Sequence, residues 1–245
     1  MTIKQLTTAC LLLVVLNATG QTKSFFPNLT KVSIDKTYKV LFGYDKSTTR
    51  FINNPCYLQD KNDPLHCYMD SIVDAWTIVA KFKNKNIVDS LSIIYSQGLS
   101  ADPEYSILSK TGQKIGQFSC IEFYINSLGT IYTAGHVNNM YNRKRKFQIL
   151  KDTIIEIQQP FNYVGVKGKT LKDITLYKDK IGNSIIAQIP KNYEIEVLLA
   201  EGNTEDYSVD YYYLVKTEFG LIGWLRLSKD DYQGTVIENL YYKGD

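Results

Sequence analysis

The chain reads as mainly β: an N-terminal antiparallel meander sheet with one short helix, followed by a small five-stranded barrel. Three observations carry this reading. Ile, Val and Thr are plentiful and there are 19 tyrosines in 245 residues, a bias toward side chains that suit a pleated surface. From Trp76 onward, apolar residues recur at every second position, the period of a half-buried strand. Short polar turns separate these runs at hairpin intervals.

The first segment sets the compartment. Met1 to Lys4 supplies a positive region, Leu6 to Leu16 an apolar run, and Ala18 and Gly20 the small residues a signal peptidase reads. Residues 1–20 are therefore expected to be a secretory signal peptide, cleaved before Gln21. The apolar run is shorter than the roughly 20 residues a membrane span needs. Leu6 to Cys10 has the look of a lipoprotein box, but the apolar run follows Cys10 instead of preceding it, so lipid anchoring is rejected. The mature protein is expected to be secreted, in a periplasm or on a cell surface, with no transmembrane segment. Loss of Lys4 takes the formal charge from +3 to +2. A balance so near zero gives no long-range field for polyanions, which argues against nucleic acid or a membrane surface as the main partner.

Three cysteines remain after processing. Cys56 and Cys67 flank a polar loop and are the candidate disulfide; a bridge over so short a loop contributes about 3 kcal/mol. Free buried thiols are the alternative. A metal site from Cys56, His66 and Cys67 lacks ligands, because the other histidine is His136 and no Cys-x-x-Cys is present. No metal or cofactor is expected. Cys120 sits among Phe118, Ile121, Phe123 and Tyr124 and reads as a small core residue.

The elements follow in order. Residues 22–36 read as a leader or first edge, and Tyr38 to Tyr44 as a short strand. Asp63-Pro64 is a helix start, N-cap then first turn, with Leu65, Met69, Ile72, Val73 and Trp76 on one face. Strand runs then come at 76–82, 87–95, 105–108, 114–118, 121–125, 130–134, 147–150 and 153–158. Short connections place neighbouring hairpins side by side, so residues 21–160 are expected to form one twisted sheet with the helix on one face. The basic run from Asn142 to Lys146 lies between two of these strands. It reads as a solvated loop, or as a contact for anionic wall polymers or lipid head groups. No aromatics interleave its charges, which argues against single-stranded nucleic acid.

Beyond Pro160, residues 161–170 read as a linker strand into a second unit. Strand runs at 174–177, 185–189, 195–199, 211–217 and 222–227 then suggest a partly open barrel. The barrel is expected over 161–230 and a C-terminal tail over 231–245.

Leu176-Tyr177, the run from Ile186 to Val197 and the run from Tyr213 to Leu225 resemble the bacterial SH3 family over residues 165–229. Gly220, Gly223 and Trp224 match its G-x-x-G-W pattern. Tyr213 stands where that family commonly has Trp, and Thr175-Leu-Tyr-Lys replaces its Arg-x-Gly-Pro. The resemblance implies an SH3-like barrel. Secreted members of that family often bind peptide parts of bacterial cell walls and are often fused to wall hydrolases. The chain as a whole also resembles, in style, secreted two-domain proteins of uncharacterised role from Bacteroides-like bacteria.

Exposed rigid aromatics give a large contact area at little entropic cost. Tyr177, Tyr211, Tyr213, Phe219 and Trp224 are therefore the candidate ligand-binding residues. The competing reading has Trp224 plugging the barrel and the tyrosines packed on the N-terminal unit. For catalysis, Cys120 and His136 form the one nucleophile–base pair that can be assembled, although a strand context does not lower a thiol pKa. Gly-x-Ser-x-Gly and His-Glu-x-x-His are both missing, and Glu122 and Glu156 have no feature that singles them out. The expectation is a secreted, non-catalytic cell-envelope binding or adaptor protein. Its partner is expected to be a wall peptide or glycan, such as peptidoglycan, or another envelope protein. The alternatives are a cell-wall hydrolase using Cys120 and His136, and a structural subunit of a surface complex.

Overall fold

The structure, a computed structural model, describes residues 26–52, 76–87, 89–98, 102–151, 153–201 and 210–244. The segment expected to be a signal peptide, Cys56, Cys67, His66 and the helix expected after Pro64 lie outside the described residues, except for Trp76 at the end of that helical stripe. No helix among the described residues is long and apolar enough to cross a membrane.

The strands of the N-terminal half are β1 (Thr30–Asp35), β2 (Val40–Tyr44), β3 (Thr49–Phe51), β4 (Thr77–Phe82), β5 (Leu91–Ser96), β6 (Glu104–Leu108), β7 (Lys114–Ser119), β8 (Glu122–Ile125), β9 (Thr130–Gly135), β10 (Arg143–Leu150) and β11 (Thr153–Glu156). Those of the C-terminal half are β12 (Phe161–Lys169), β13 (Ile174–Tyr177), β14 (Ile185–Ile189), β15 (Glu194–Glu201), β16 (Tyr211–Thr217) and β17 (Ile222–Leu227). A 3-10 turn follows at Lys229–Gln233.

The protein is mainly β, as its composition and alternation lead one to expect. The N-terminal half, however, is two sheets and not one. β3 to β7 form a five-stranded antiparallel meander, while β1, β2, β8, β9, β10 and β11 form a six-stranded sheet in that order. The division arises at Cys120-Ile121, where the chain leaves β7 and crosses to the other sheet. There β8 pairs in parallel with β2, matching Phe42 to Phe123. Hairpin spacing reports only neighbours in sequence, so it cannot reveal a parallel pairing that spans about eighty residues.

The inner faces of the two sheets share one core. Phe42, Phe123, Ile125 and Ile131 come from one sheet, and Phe82, Ile93, Tyr105 and Ile107 from the other. Its centre is a cluster of rings: Tyr105 and Phe123 lie 4.8 Å apart, Phe42 and Phe123 5.9 Å, and Phe118 meets Phe147 edge-on at 4.9 Å. Each such side chain fully buried contributes roughly 1.5–3 kcal/mol. On the outer face, Gly43 lets the Tyr124 ring lie flat on β2, since a Cβ there would come within 2.2 Å of the ring.

Asp35 closes β1 and is buried. Its carboxylate accepts from the backbone N–H groups of Thr37 and Tyr38, from the Gln97 amide at 2.7 Å and from the Tyr95 hydroxyl at 3.3 Å. Burial alone would raise its pKa, but these four hydrogen bonds together outweigh it and hold the acid below its ordinary value. A carboxylate depressed in the folded state adds stability that is present above its unfolded pKa, near 4, and lost as pH falls through the folded value. Asp35→Asn is therefore expected to lower stability at pH 7 and to flatten the loss of stability below about pH 4. Denaturant titrations at pH 7 and pH 3 read both effects; an unchanged acid slope would show that Asp35 is not the group responsible.

The C-terminal half is a single curled antiparallel sheet in the order β12-β15-β16-β17-β13-β14. The linker strand expected from Phe161 is thus a full member, paired with β15 along its length. The residues expected as a tail are also built in. Val236, Ile237 and Leu240 are buried in the barrel core, Ile237 forms a bridge with Thr170, and the N–H of Leu171 donates to the Val236 carbonyl.

A second surprise is the β9–β10 loop. Met140 and Tyr141 pack in the barrel's core, not in that of their own half. Lys243 N–H donates to the Asn139 carbonyl at 3.1 Å, and the His136 ring bonds the Tyr241 carbonyl at 2.8 Å.

Candidate functional site

The outer face of the barrel carries one row of apolar side chains where solvent-facing polar residues are the norm. The row follows the register across five strands. Tyr163 of β12 faces Leu199 of β15, Leu199 faces Leu214 of β16, Leu214 faces Trp224 of β17, and Trp224 faces Tyr177 of β13. Tyr163 is 58% exposed and the other four are half-buried. Phe161, two residues before Tyr163 and on the same face, brings its ring to 6.2 Å from that of Trp224.

Alternation explains most of this placement. Tyr211, Tyr213 and Val215 point inward on β16, so Leu214 points out; Gly223 and Leu225 do the same for Trp224. Leu199 is the exception. A register shift between Val197 and Leu199 inserts Leu198 as an extra residue, and this bulge turns Leu199 to the outer face. Gly223 is required beside the tryptophan, since a Cβ there would meet Leu176 at 2.9 Å.

Charges border the row. The Lys180 ammonium sits 5.8 Å from the centre of the Trp224 ring and is ion-paired with Glu201, and Glu201 lies opposite Phe161 in the ladder. The Lys144 ammonium sits 5.6 Å from the centre of the Tyr163 ring. The surface is therefore aromatic, with the Lys144 cation at one end and the Lys180–Glu201 ion pair at the other, which suits ligands that offer C–H faces and hydroxyl or carboxylate groups.

Of the five candidate residues, two lie on this row, Tyr177 and Trp224. Tyr211 and Tyr213 do not. They are 3% and 1% exposed and belong to the barrel core, so no ligand can rest on them. Their alternation was readable, but which face was inner was not; the Tyr141 ring, edge-on to Tyr213, covers the end of that cluster. Phe219 is 84% exposed in the β16–β17 turn, next to Gly220 at φ 99°, and has no place in the register row. Phe161, Tyr163, Leu199 and Leu214 were missed. The alternation in Phe161-Asn-Tyr-Val was the available signal for the first two, whereas the bulge that exposes Leu199 leaves none.

Cys120 and His136, the pair of the catalytic alternative, each have another hydrogen-bond partner. Cys120 is buried in the first core, its thiol 3.7 Å from the Phe118 carbonyl, and burial raises its pKa far above the ordinary value. His136 spends its Nε2 on the Tyr241 carbonyl. Glu156 is ion-paired with Arg145, and Glu122 accepts from the Tyr124 hydroxyl at 2.6 Å. Among the described residues, no group of three or more His, Cys, Asp or Glu side chains is placed to hold a metal ion.

The basic run is a strand and not a loop. Residues 143–146 open β10, so its side chains alternate: Arg143 is buried and Arg145 pairs with Glu156, while Lys144 and Lys146 are exposed on the other face. No family model, no curated protein and no solved structure matches the chain.

Proposed function

We propose that this protein is a secreted, non-catalytic binding or adaptor protein of the cell envelope, whose C-terminal barrel is an SH3-like module that docks a wall glycan or peptide such as peptidoglycan. The observation that supports it most is the in-register row from Tyr163 to Tyr177, with Phe161 beside it. Five apolar side chains aligned on a water-facing sheet contribute nothing to the barrel's own core. They form instead a rigid strip on which sugar faces or peptide side chains can stack, with Lys180 and Lys144 at its margins.

Aromatic residues at the centre of such surfaces carry most of the binding energy. Trp224→Ala is expected to weaken retention on purified, insoluble peptidoglycan by about 10–100-fold, and Tyr163→Ala by a smaller factor. Circular dichroism of both variants should match the wild type, since neither side chain lies in the core. Retention of Trp224→Ala equal to that of the wild type would remove the barrel surface from consideration. A wild-type protein that ignores the wall and runs as a stable larger assembly would favour a structural subunit instead.

A further inference from the structure

On the outer face of the six-stranded sheet lies a groove of about 400 Å³, lined by Phe26, Tyr124, Tyr132, Lys144, Lys146 and Ile157 among others. The Phe26 ring leans over it, 4.9 Å from Tyr124 and 4.6 Å from Tyr132. Tyr124, Tyr132 and Lys146 are neighbours across β8, β9 and β10, so the aromatic wall and the cation come from rigid strands. The Lys146 ammonium stands 5.9 Å from the centre of the Tyr132 ring. Among the described residues, neither Lys144 nor Lys146 has a carboxylate partner. The acid in the groove, Glu122, already accepts from Tyr124. Two ammonium groups without carboxylate partners, beside rings tilted against one another, leave a site complementary to a flat, C–H-rich ring that carries a negative charge.

The groove continues into the barrel row. Ile157 N–H donates to the Lys146 carbonyl at 2.8 Å, and the Gln159 amide donates to the Lys144 carbonyl at 3.0 Å. This segment runs along the edge of β10 and then enters β12 at Phe161. Lys144 belongs to both surfaces, lining the groove and covering Tyr163.

We infer that the groove is a second subsite for an acidic polysaccharide: it seats one carboxylated sugar on Phe26 and Tyr132, holds the carboxylate between Lys144 and Lys146, and passes the chain over Lys144 onto Tyr163. This rests on the binding role proposed for the barrel and specifies the ligand's class. The test uses the secreted chain and calorimetric titration with six-sugar polygalacturonate oligomers, alongside the same oligomers with their carboxyl groups reduced to alcohols. The acidic oligomers should bind at least about tenfold more tightly than the reduced ones. The double variant Lys144→Gln, Lys146→Gln should remove that preference, bringing the affinity for the acidic oligomers down to that for the reduced ones. Tyr132→Ala should weaken both.

The inference is overturned if the wild type binds neither oligomer, if it prefers the reduced one, or if the double variant behaves as the wild type. Binding to vesicles of anionic phospholipid without binding to either oligomer also overturns it. Failure of the groove is read in the oligomer titrations of the wild type and the lysine variants, with attachment to the wall still dependent on Trp224. Failure of the barrel reading appears as Trp224→Ala retaining full attachment to the wall, so the two failures are separable.

Discussion

Phe123→Ala is expected to be among the most damaging single substitutions in this protein, costing about 3–5 kcal/mol of stability. Phe123 is fully buried at the point where the two N-terminal sheets meet. Its ring touches three others, those of Tyr105, Phe42 and Phe118, at 4.8, 5.9 and 5.4 Å. It also sits on β8, the strand whose parallel pairing with β2 joins early and late parts of the half. Removing the ring leaves a cavity flanked by strands of both sheets, which cannot collapse without moving backbone. Differential scanning calorimetry should show the melting temperature falling by on the order of 10 °C. A fall of under two degrees would mean that the shared core is not the principal source of stability in this half.

Tyr213→Ala is expected to be nearly as severe, again about 3–5 kcal/mol, and for a reason opposite to the one its sequence suggests. Tyr213 is 1% exposed, its ring meeting Tyr141 at 6.5 Å edge-on. Truncating it empties the middle of the barrel and undercuts the loop that brings Tyr141 there. Any ligand affinity would disappear together with the fold, so binding lost in Tyr213→Ala carries no information about contact. Tyr213→Phe is the informative companion: it keeps the ring and should melt close to the wild type. If Tyr213→Ala instead melts normally while losing affinity, the inward placement of that side chain is wrong.

The strands themselves were legible in the chain because alternation and turn residues are local signals. Each of the runs from 174–177 to 222–227 is found as a strand, since each needs only its own residues to declare a period of two. What stayed hidden depends on distant partners. The parallel contact of β2 with β8 has no local marker, and neither does the burial of Val236 and Ile237 against the barrel. The basic run from Asn142 to Lys146 misled because charge density usually means a loop, whereas in β10 the pleat divides it. Arg145 is tied to Glu156, and the two lysines face outward. The candidate site was half legible for a related reason. Trp224 and Tyr177 could be named from their types, but separating them from Tyr211 and Tyr213 needed the phase of each strand relative to the core.

The loop carrying Met140 and Tyr141 has a consequence for anyone who wishes to transplant the barrel. A fragment begun at Pro160 would leave behind two of the side chains that fill the barrel's interior, together with the Asn139 carbonyl and His136 imidazole that fasten its final residues. Such a graft would arrive with a hole in its wall and a loose end. The portable unit is defined by what fills it, and part of that filling is encoded some twenty residues upstream of the first strand.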